Sequence, residues 1–335
     1  MHKRILFVIL VVALVLSGCT SDPQPQLKQY NATFLDVFDT VTAMVGRAET
    51  EEEFQVIAQQ IHDDLMYYHQ LFDIYNDYDG INNLKTINDN AGVGAVTVDQ
   101  TIIGLLLDCR DYYEKTDGKV NVAMGSILKL WHDGRQQAVL PDDNALQEAK
   151  NHTSWDSIVI DVENATVFIT DPAQRLDVGA VAKGWAAQRV AESAPEGLLI
   201  SVGGNVIATG PKTQDGTPWV VGVNDPNGGS SYLHTLNITG GAVVTSGDYQ
   251  RYFVVDGTVY HHIIDPETLY PSQYWRSVTV ICPDSGLADA LSTALFVLPL
   301  QEGKALLASC GAEAMWVDAQ NNFYYSDGFR DFIRT

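Results

Sequence analysis

Within residues 245–296 the chain gathers side chains able to handle protons and charged oxygens: Thr245-Ser246-Gly247-Asp248-Tyr249-Gln250-Arg251-Tyr252, then His261-His262-Ile263-Ile264-Asp265-Pro266, then Asp289 and Thr293. Asp289 and Thr293 stand four apart in a stretch, 284–296, whose apolar residues recur at helical spacing, so both fall on one helix face. A carboxylate and a hydroxyl stacked one turn apart suit a hard cation that takes oxygen ligands and keeps places for phosphate and water, and magnesium fits best. The plainer alternative is an acidic residue answering the helix dipole and a threonine bonded back to its own backbone. His261 and His262 supply imidazoles that titrate near neutrality, and strand alternation sends only one of them into any one site. For either, a cross-strand partner in a half-exposed hairpin is the plainer alternative.

Two further stretches offer places for anions. Arg175-Leu176-Asp177-Val178-Gly179-Ala180-Val181-Ala182-Lys183-Gly184-Trp185 reads as a strand end turning sharply into a helix that runs to about Glu192, and a helix N-terminus is a ready anion site. Lys183 in its first turn opposes the helix dipole, so it is either simply solvated or matched by a bound anion. An apolar strand, 198–202, runs into Gly203-Gly204-Asn205, where missing side chains would let a ligand approach the backbone.

The blocks LDVGAVAKGW, ISVGGNV, TSGDYQRYF, HHIIDPETLYP and ADALSTALF resemble, in order and spacing, those of the ApbE-type flavin transferases, and the resemblance covers most of the chain from about Phe34 onward. It implies an enzyme that moves FMN from FAD to a Thr or Ser hydroxyl of a partner flavoprotein, such as a subunit of a membrane redox complex, releasing AMP with the help of magnesium. It implies that Asp289, Thr293 and the backbone carbonyl of Ala180 hold the metal, that Asp177 and Lys183 contact FAD, and that His262 is the base. It extends the nucleotide site to Gly203, Gly204 and Ile264. Tyr75 stands where the family places an aromatic residue lining the flavin pocket, although the motif's usual Ser is absent. Phe38-Asp39-Thr40 replaces a Met-Gly-Thr-like turn, which leaves Phe38 and Thr40 as candidates there. Lys119-Val120-Asn121 stands where relatives commonly read Ala-Phe-Asp, so flavin contact there would run through the backbone. Two rival functions stay open: hydrolysis of FAD to FMN and AMP with water as nucleophile, and solute capture by a flavin-binding lipoprotein, which would need neither metal ligands nor a base.

Composition narrows the partners. With 335 residues, 46 % of them hydrophobic, the chain can bury a large core, and its net charge of -22, from 42 acidic against 20 basic residues, excludes a nucleic-acid partner for want of a basic footprint. A protein this acidic that binds a dianionic dinucleotide needs a local cation, an independent reason to expect a metal at Asp289. Met1-His2-Lys3-Arg4, the apolar run 5–16 and Leu16-Ser17-Gly18-Cys19 resemble a lipoprotein signal, implying lipidation at Cys19 on the outer face of the cytoplasmic membrane. Residues 1–18 are then a leader, 19–29 a tether and 30–335 the catalytic unit. Cys109, Cys282 and Cys310 lie in apolar patterns without paired spacing, so they read as core residues and not as a disulfide or zinc framework.

The elements that must position these residues read as α+β, with mainly antiparallel sheets flanked by helices. The resemblance implies an ApbE-like, T-fold-like arrangement of two related lobes with the nucleotide between them. Residues 30–48 read as a strand, 50–72 and 99–115 as helices, 125–131 as a short helix and 132–141 as a polar loop. Hairpins are expected across Val162-Glu163-Asn164 and Asp256-Gly257, and strand 232–238 is expected to pair with 241–245.

Overall fold

The computed structural model describes residues 27–229 and 231–335, so Cys19 and the leader lie outside the described residues. The chain opens with strands β1 (Lys28–Val37) and β2 (Thr40–Ala48), followed by helix α1 (Glu51–Phe72), α2 (Leu84–Asp89), β3 (Val96–Thr97), α3 (Gln100–Lys115), α4 (Gly125–Gln137) and α5 (Asp143–Lys150). Next come β4 (Ile158–Asp161), β5 (Thr166–Ile169), α6 (Ala182–Ser193), β6 (Leu199–Val202), β7 (Asn205–Ala208), β8 (Trp219–Asn224) and β9 (Tyr232–Ile238). The last part holds β10 (Gly241–Gly247), β11 (Tyr252–Val255), β12 (Thr258–His261), β13 (Ser277–Cys282), α7 (Ser285–Phe296), α8 (Leu300–Cys310), β14 (Glu313–Val317) and β15 (Phe323–Tyr325).

One antiparallel sheet in the order β1-β2-β6-β7-β10-β13-β14-β15 forms the platform. Its central strands are apolar on both faces, as their sequences require: Ala242 and Val244 of β10 enter one core cluster with α1, α3, α6 and α7, while Val243 enters a second with the β8–β9 ribbon. A third cluster, around Trp131, Phe253, Ile264 and Leu269, joins α4 and α5 to the β11–β12 ribbon. The α+β class with antiparallel sheets is thus the observed one.

Three local expectations are corrected. Residues 30–48 are not one strand but a hairpin, β1 against β2, turning on Phe38 and Asp39 with φ of 52° at both. Asp39 tolerates a left-handed φ, but the bulky Phe38 before it does not, so the pair gives no turn signal as a whole. The turn is held from outside, by His69 on α1, whose Nδ1 accepts the Phe38 N–H at 3.1 Å. Residues 132–137 are not loop: α4 continues to Gln137 and stops at left-handed Ala138, and α5 follows behind the Asp142 cap. Strand β9 pairs with β8, not with β10, because β10 is taken into the main sheet between β7 and β13. The cysteines match their expected place: Cys109 and Cys282 are buried free thiols, and Cys310 is free and half-buried.

Helix α1 shows how local sequence sets an element that the site later uses. Thr50 accepts the Glu53 N–H while Glu53 reaches back to the Thr50 N–H, a reciprocal cap with acidic residues in the first turn. Thr50→Ala is therefore expected to lower the unfolding free energy by about 1 kcal/mol, measured by denaturant titration. A cost below the error of the titration would show that packing alone fixes the helix start.

Candidate active site

The site grows from the meeting of α6 and α7. Helix α6 begins without a side-chain cap, so its third residue, Gly184, carries an N–H with no partner in its own helix. Asp289, on α7, takes that N–H on Oδ2 at 2.8 Å. Only glycine permits this approach, since a Cβ on Gly184 would overlap the Ser285 carbonyl oxygen and Asp289 Cβ. A second tie runs from the Ser285 N–H to Gln188 Oε1 at 2.8 Å, and Ser292 on α7 bonds Ser246 of β10 at 2.8 Å, fastening the helix to the sheet.

Asp289 is a buried carboxylate, 4 % exposed. Burial pushes its pKa above the usual carboxylate range, against which the Lys183 charge, the Gly184 N–H and the Asn205 amide work. The Lys183 ammonium lies 4.0 Å from Oδ2. Neither part of the plainer alternative for this pair is seen: Asp289 answers a different helix from its own, and it is Ser292, not Thr293, whose hydroxyl bonds back to the α7 backbone. The hydroxyl of Thr293, half-buried one turn along, forms no hydrogen bond among the described residues, and neither does the carbonyl of Ala180 just ahead of α6. An ionisable buried carboxylate beside a free hydroxyl and a free carbonyl is an all-oxygen donor set that fits a hard divalent cation.

Asp177 sits in the turn before α6, its N–H on the Val122 carbonyl at 2.8 Å and its Oδ1 on the Gly179 N–H at 2.9 Å. Burial raises its pKa, opposed by that N–H and by the charges of His132 and Arg251. Tyr75 is 57 % exposed, and its ring stacks on His132 at 5.3 Å. Gly203 and Gly204 form the two-residue turn from β6 to β7, with φ of 59° and 94°. A Cβ on Gly203 would collide with the Thr40 side chain, so the Phe38-Asp39-Thr40 turn and the Gly203-Gly204 turn lie side by side at one end of the sheet.

The two histidines have opposite fates. His261 is buried, donates from Nε2 to the Ser272 carbonyl at 2.7 Å and accepts the Ile263 N–H on Nδ1 at 3.2 Å, so neither nitrogen is left for chemistry. His262 is half-buried and donates from Nδ1 to the Arg251 carbonyl at 3.2 Å, which fixes the tautomer and leaves the Nε2 lone pair free. Burial, with Arg251 and His261 adding to it, pulls its pKa down to about 3, and Lys183 contributes in the same direction. The imidazole is therefore neutral, and Lys183 is a common neighbour of His262 and Asp289.

Other expected positions serve the frame. The Lys119 ammonium pairs with Glu267, and Val120 is buried with its N–H on Thr116 Oγ1. Asn121 spends its side chain on the Thr153 carbonyl and the Ala123 N–H. Ile264 is buried in the Trp131 cluster. Two residues escaped the sequence reading. Arg251, exposed and without an ion pair among the described residues, acts on both Asp177 and His262, and its signal was its place in the TSGDYQRYF block. Asn205 is buried beside Asp289, and its signal was the glycine pair ahead of it.

The ApbE family profile matches residues 36–316. The chain belongs to the ApbE family. This ApbE-family chain is 34 % identical over 270 residues to the FAD:protein FMN transferase of Treponema pallidum, covering 75 % of each chain. It is 35 % identical over 248 residues to the FAD:protein FMN transferase of Klebsiella pneumoniae, covering 71 % of this chain and 76 % of the relative. The crystal structure of the ApbE protein of Thermotoga maritima matches the fold with a TM-score of 0.83 at 32 % identity, covering 92 % of this chain and 100 % of that one. The flavin transferase ApbE of Vibrio cholerae shares the fold at a TM-score of 0.76 and 22 % identity, covering 92 % of this chain and 100 % of that one.

Two outcomes test the geometry. Asp289→Asn keeps an oxygen for the Gly184 N–H and removes a buried charge, so its melting temperature should equal or exceed the wild-type value, while Asp289→Ala strands that donor and should cost about 1–3 kcal/mol. Equal melting of the two variants would remove the helix-end contact from the account. His262 takes up its proton at lower pH than the unfolded chain does, so it subtracts stability as pH falls from the ordinary histidine value of 6.5 toward about 3. His262→Gln should accordingly lose less stability than wild type between about pH 7 and about pH 5, read by thermal melting. Parallel pH slopes would place the imidazole in solvent.

Proposed function

We propose that this protein is an FAD:protein FMN transferase: it moves FMN from FAD to a Thr or Ser hydroxyl of an acceptor flavoprotein and releases AMP. The observation that carries the reading is the position of Lys183, whose ammonium lies 4.0 Å from Asp289 and whose charge also reaches His262, so that a phosphate-neutralising end and a base share one wall. The family membership and the named transferase activity of relatives at 34 % and 35 % identity support it.

The chemistry follows from those residues. Asp289, Thr293 and the Ala180 carbonyl would hold magnesium, which when bound supplies charge neutralisation on the diphosphate. Lys183, at the open end of α6, and Arg251, on the ribbon side, add fixed positive charge in a chain of net charge -22. The acceptor oxygen attacks the FMN phosphorus while its proton passes to His262 Nε2; the bond to the AMP phosphate oxygen breaks, and AMP leaves with that charge. His262 can accept because the Arg251 carbonyl holds its other nitrogen as the donor. In the free protein its basicity is low, first because it is buried and then because the charges of Arg251 and Lys183 act on it. A bound diphosphate matches those cations and raises the imidazole toward the range useful to a general base. Anchoring through Cys19 on the outer face of the cytoplasmic membrane belongs to the proposal and rests on the leader sequence alone.

His262→Ala is expected to slow single-turnover FMN transfer by about 10²- to 10⁴-fold with FAD affinity nearly intact. His261→Ala should act on thermal stability first, because both its nitrogens hold backbone. The check is covalent flavin fluorescence on an acceptor protein, with AMP release followed in parallel. AMP release without labelling would move the assignment to hydrolysis of FAD, and full transfer by His262→Ala would remove it as the base.

A further inference from the structure

Asn205 is the first residue of β7, directly after the Gly203-Gly204 turn, and it is 3 % exposed. Its side-chain Nδ2 is buried and makes no hydrogen bond among the described residues. A buried amide N–H without an acceptor costs stability, and an apolar residue of similar size would fill the position more favourably. The side chain has a charged neighbour all the same: it stands against the Asp289 carboxyl and counts among the groups that favour its ionised form. The surrounding backbone gives the amide little freedom. Asn205 is paired across the turn with Val202, β7 is held between β6 and β10, and the glycines before it accept left-handed angles that place the strand start under α7.

Taken together, one Asp289 oxygen is spent on the Gly184 N–H, and among the described residues the only other neutral donor brought to that carboxyl is the Asn205 amide. We propose that Asn205 is a positioning residue for the divalent cation: its Nδ2–H donates to the Asp289 carboxylate in the metal-bound state, fixing the plane in which the carboxylate meets the cation. The unmet donor is thus an outer partner of the metal ligand. This inference rests on the reading of Asp289, Thr293 and Ala180 as the cation site. It adds to that site a residue with no ligating role of its own, and outer partners of this kind are commonly worth about 10- to 100-fold in metal affinity.

The test uses the whole protein and magnesium alone, with manganese as the spectroscopic probe. Asn205→Leu keeps the volume and removes the amide; Asn205→Ser keeps a shorter donor. Magnesium affinity by calorimetry, manganese binding by its paramagnetic signal, FAD affinity in EDTA by fluorescence quenching and melting temperature in EDTA are measured for each. The expected result is about 10- to 100-fold weaker cation binding in Asn205→Leu, with FAD affinity and melting in EDTA at or above wild type, and partial recovery in Asn205→Ser. Unchanged cation affinity in Asn205→Leu, or an equal loss of FAD affinity in EDTA, overturns the role of Asn205. If Asn205→Leu does not fold, Asn205→Ala, which also removes the amide, decides on the same readings: cation affinity at the wild-type value, or a loss of FAD affinity in EDTA as large as the loss of cation affinity, overturns the role. Wild-type protein that binds neither ion, or binds them unchanged after Asp289→Asn, brings down the cation site itself and this inference with it.

Discussion

The structure depends on a single close approach, the Gly184 N–H on the Asp289 carboxylate with no room for a side chain between. A carboxylate 4 % exposed is tolerable only where donors and positive charge compensate it, and here the compensation comes from the uncapped end of another helix and the lysine in that helix's first turn. Packing and chemistry are therefore one feature. The contact that brings α6 against α7 is also the contact that brings the Lys183 ammonium to within 4.0 Å of that carboxyl group.

The eight-stranded sheet supplies the rigidity that such a site needs. Its middle strands are buried on both faces, so a shift of β10 or β13 would disturb two cores at once. Ser246 carries that rigidity into α7 through Ser292. At the same end of the sheet, the β1–β2 turn is kept in a left-handed conformation at Phe38 and Asp39, which persists because His69 and the neighbouring Thr40–Gly203 packing determine it from outside.

Much of this was legible in the sequence. The helix bearing Asp289 and Thr293 announced itself by period and by its Asp284 start, and strand alternation separated the adjacent histidines, while the choice of His262 came from the family resemblance. Lys183 was noticed because it opposes the helix dipole, which is a local property. What escaped depended on long-range partners. No local rule places a turn at Phe38-Asp39, since its stabilising acceptor lies 31 residues away. Strand β9 and strand β10 are adjacent in sequence and looked like a hairpin, yet β10 finds more apolar company between β7 and β13. Asn205 and Arg251 had only their neighbours in the GGN and TSGDYQRYF blocks to mark them, because their meaning lies in which charges face them, and those charges come from α7 on one side and from Asp177 on the other.

His262 and the buried carboxylate of Asp289 belong to different bodies of the fold. His262 leaves a two-stranded ribbon whose inner face, Phe253 and Tyr260, packs on Trp131 of α4, whereas Asp289 belongs to the main sheet and its helices. Ile263 packs into one core and Ile264 into the other, so the seam between the two runs through the peptide that joins them, next to His262. Substitutions on the outer face of the ribbon can therefore accumulate without disturbing the α6–α7 contact, because the two bodies keep separate cores. A chain built this way can vary one body while the other keeps its shape.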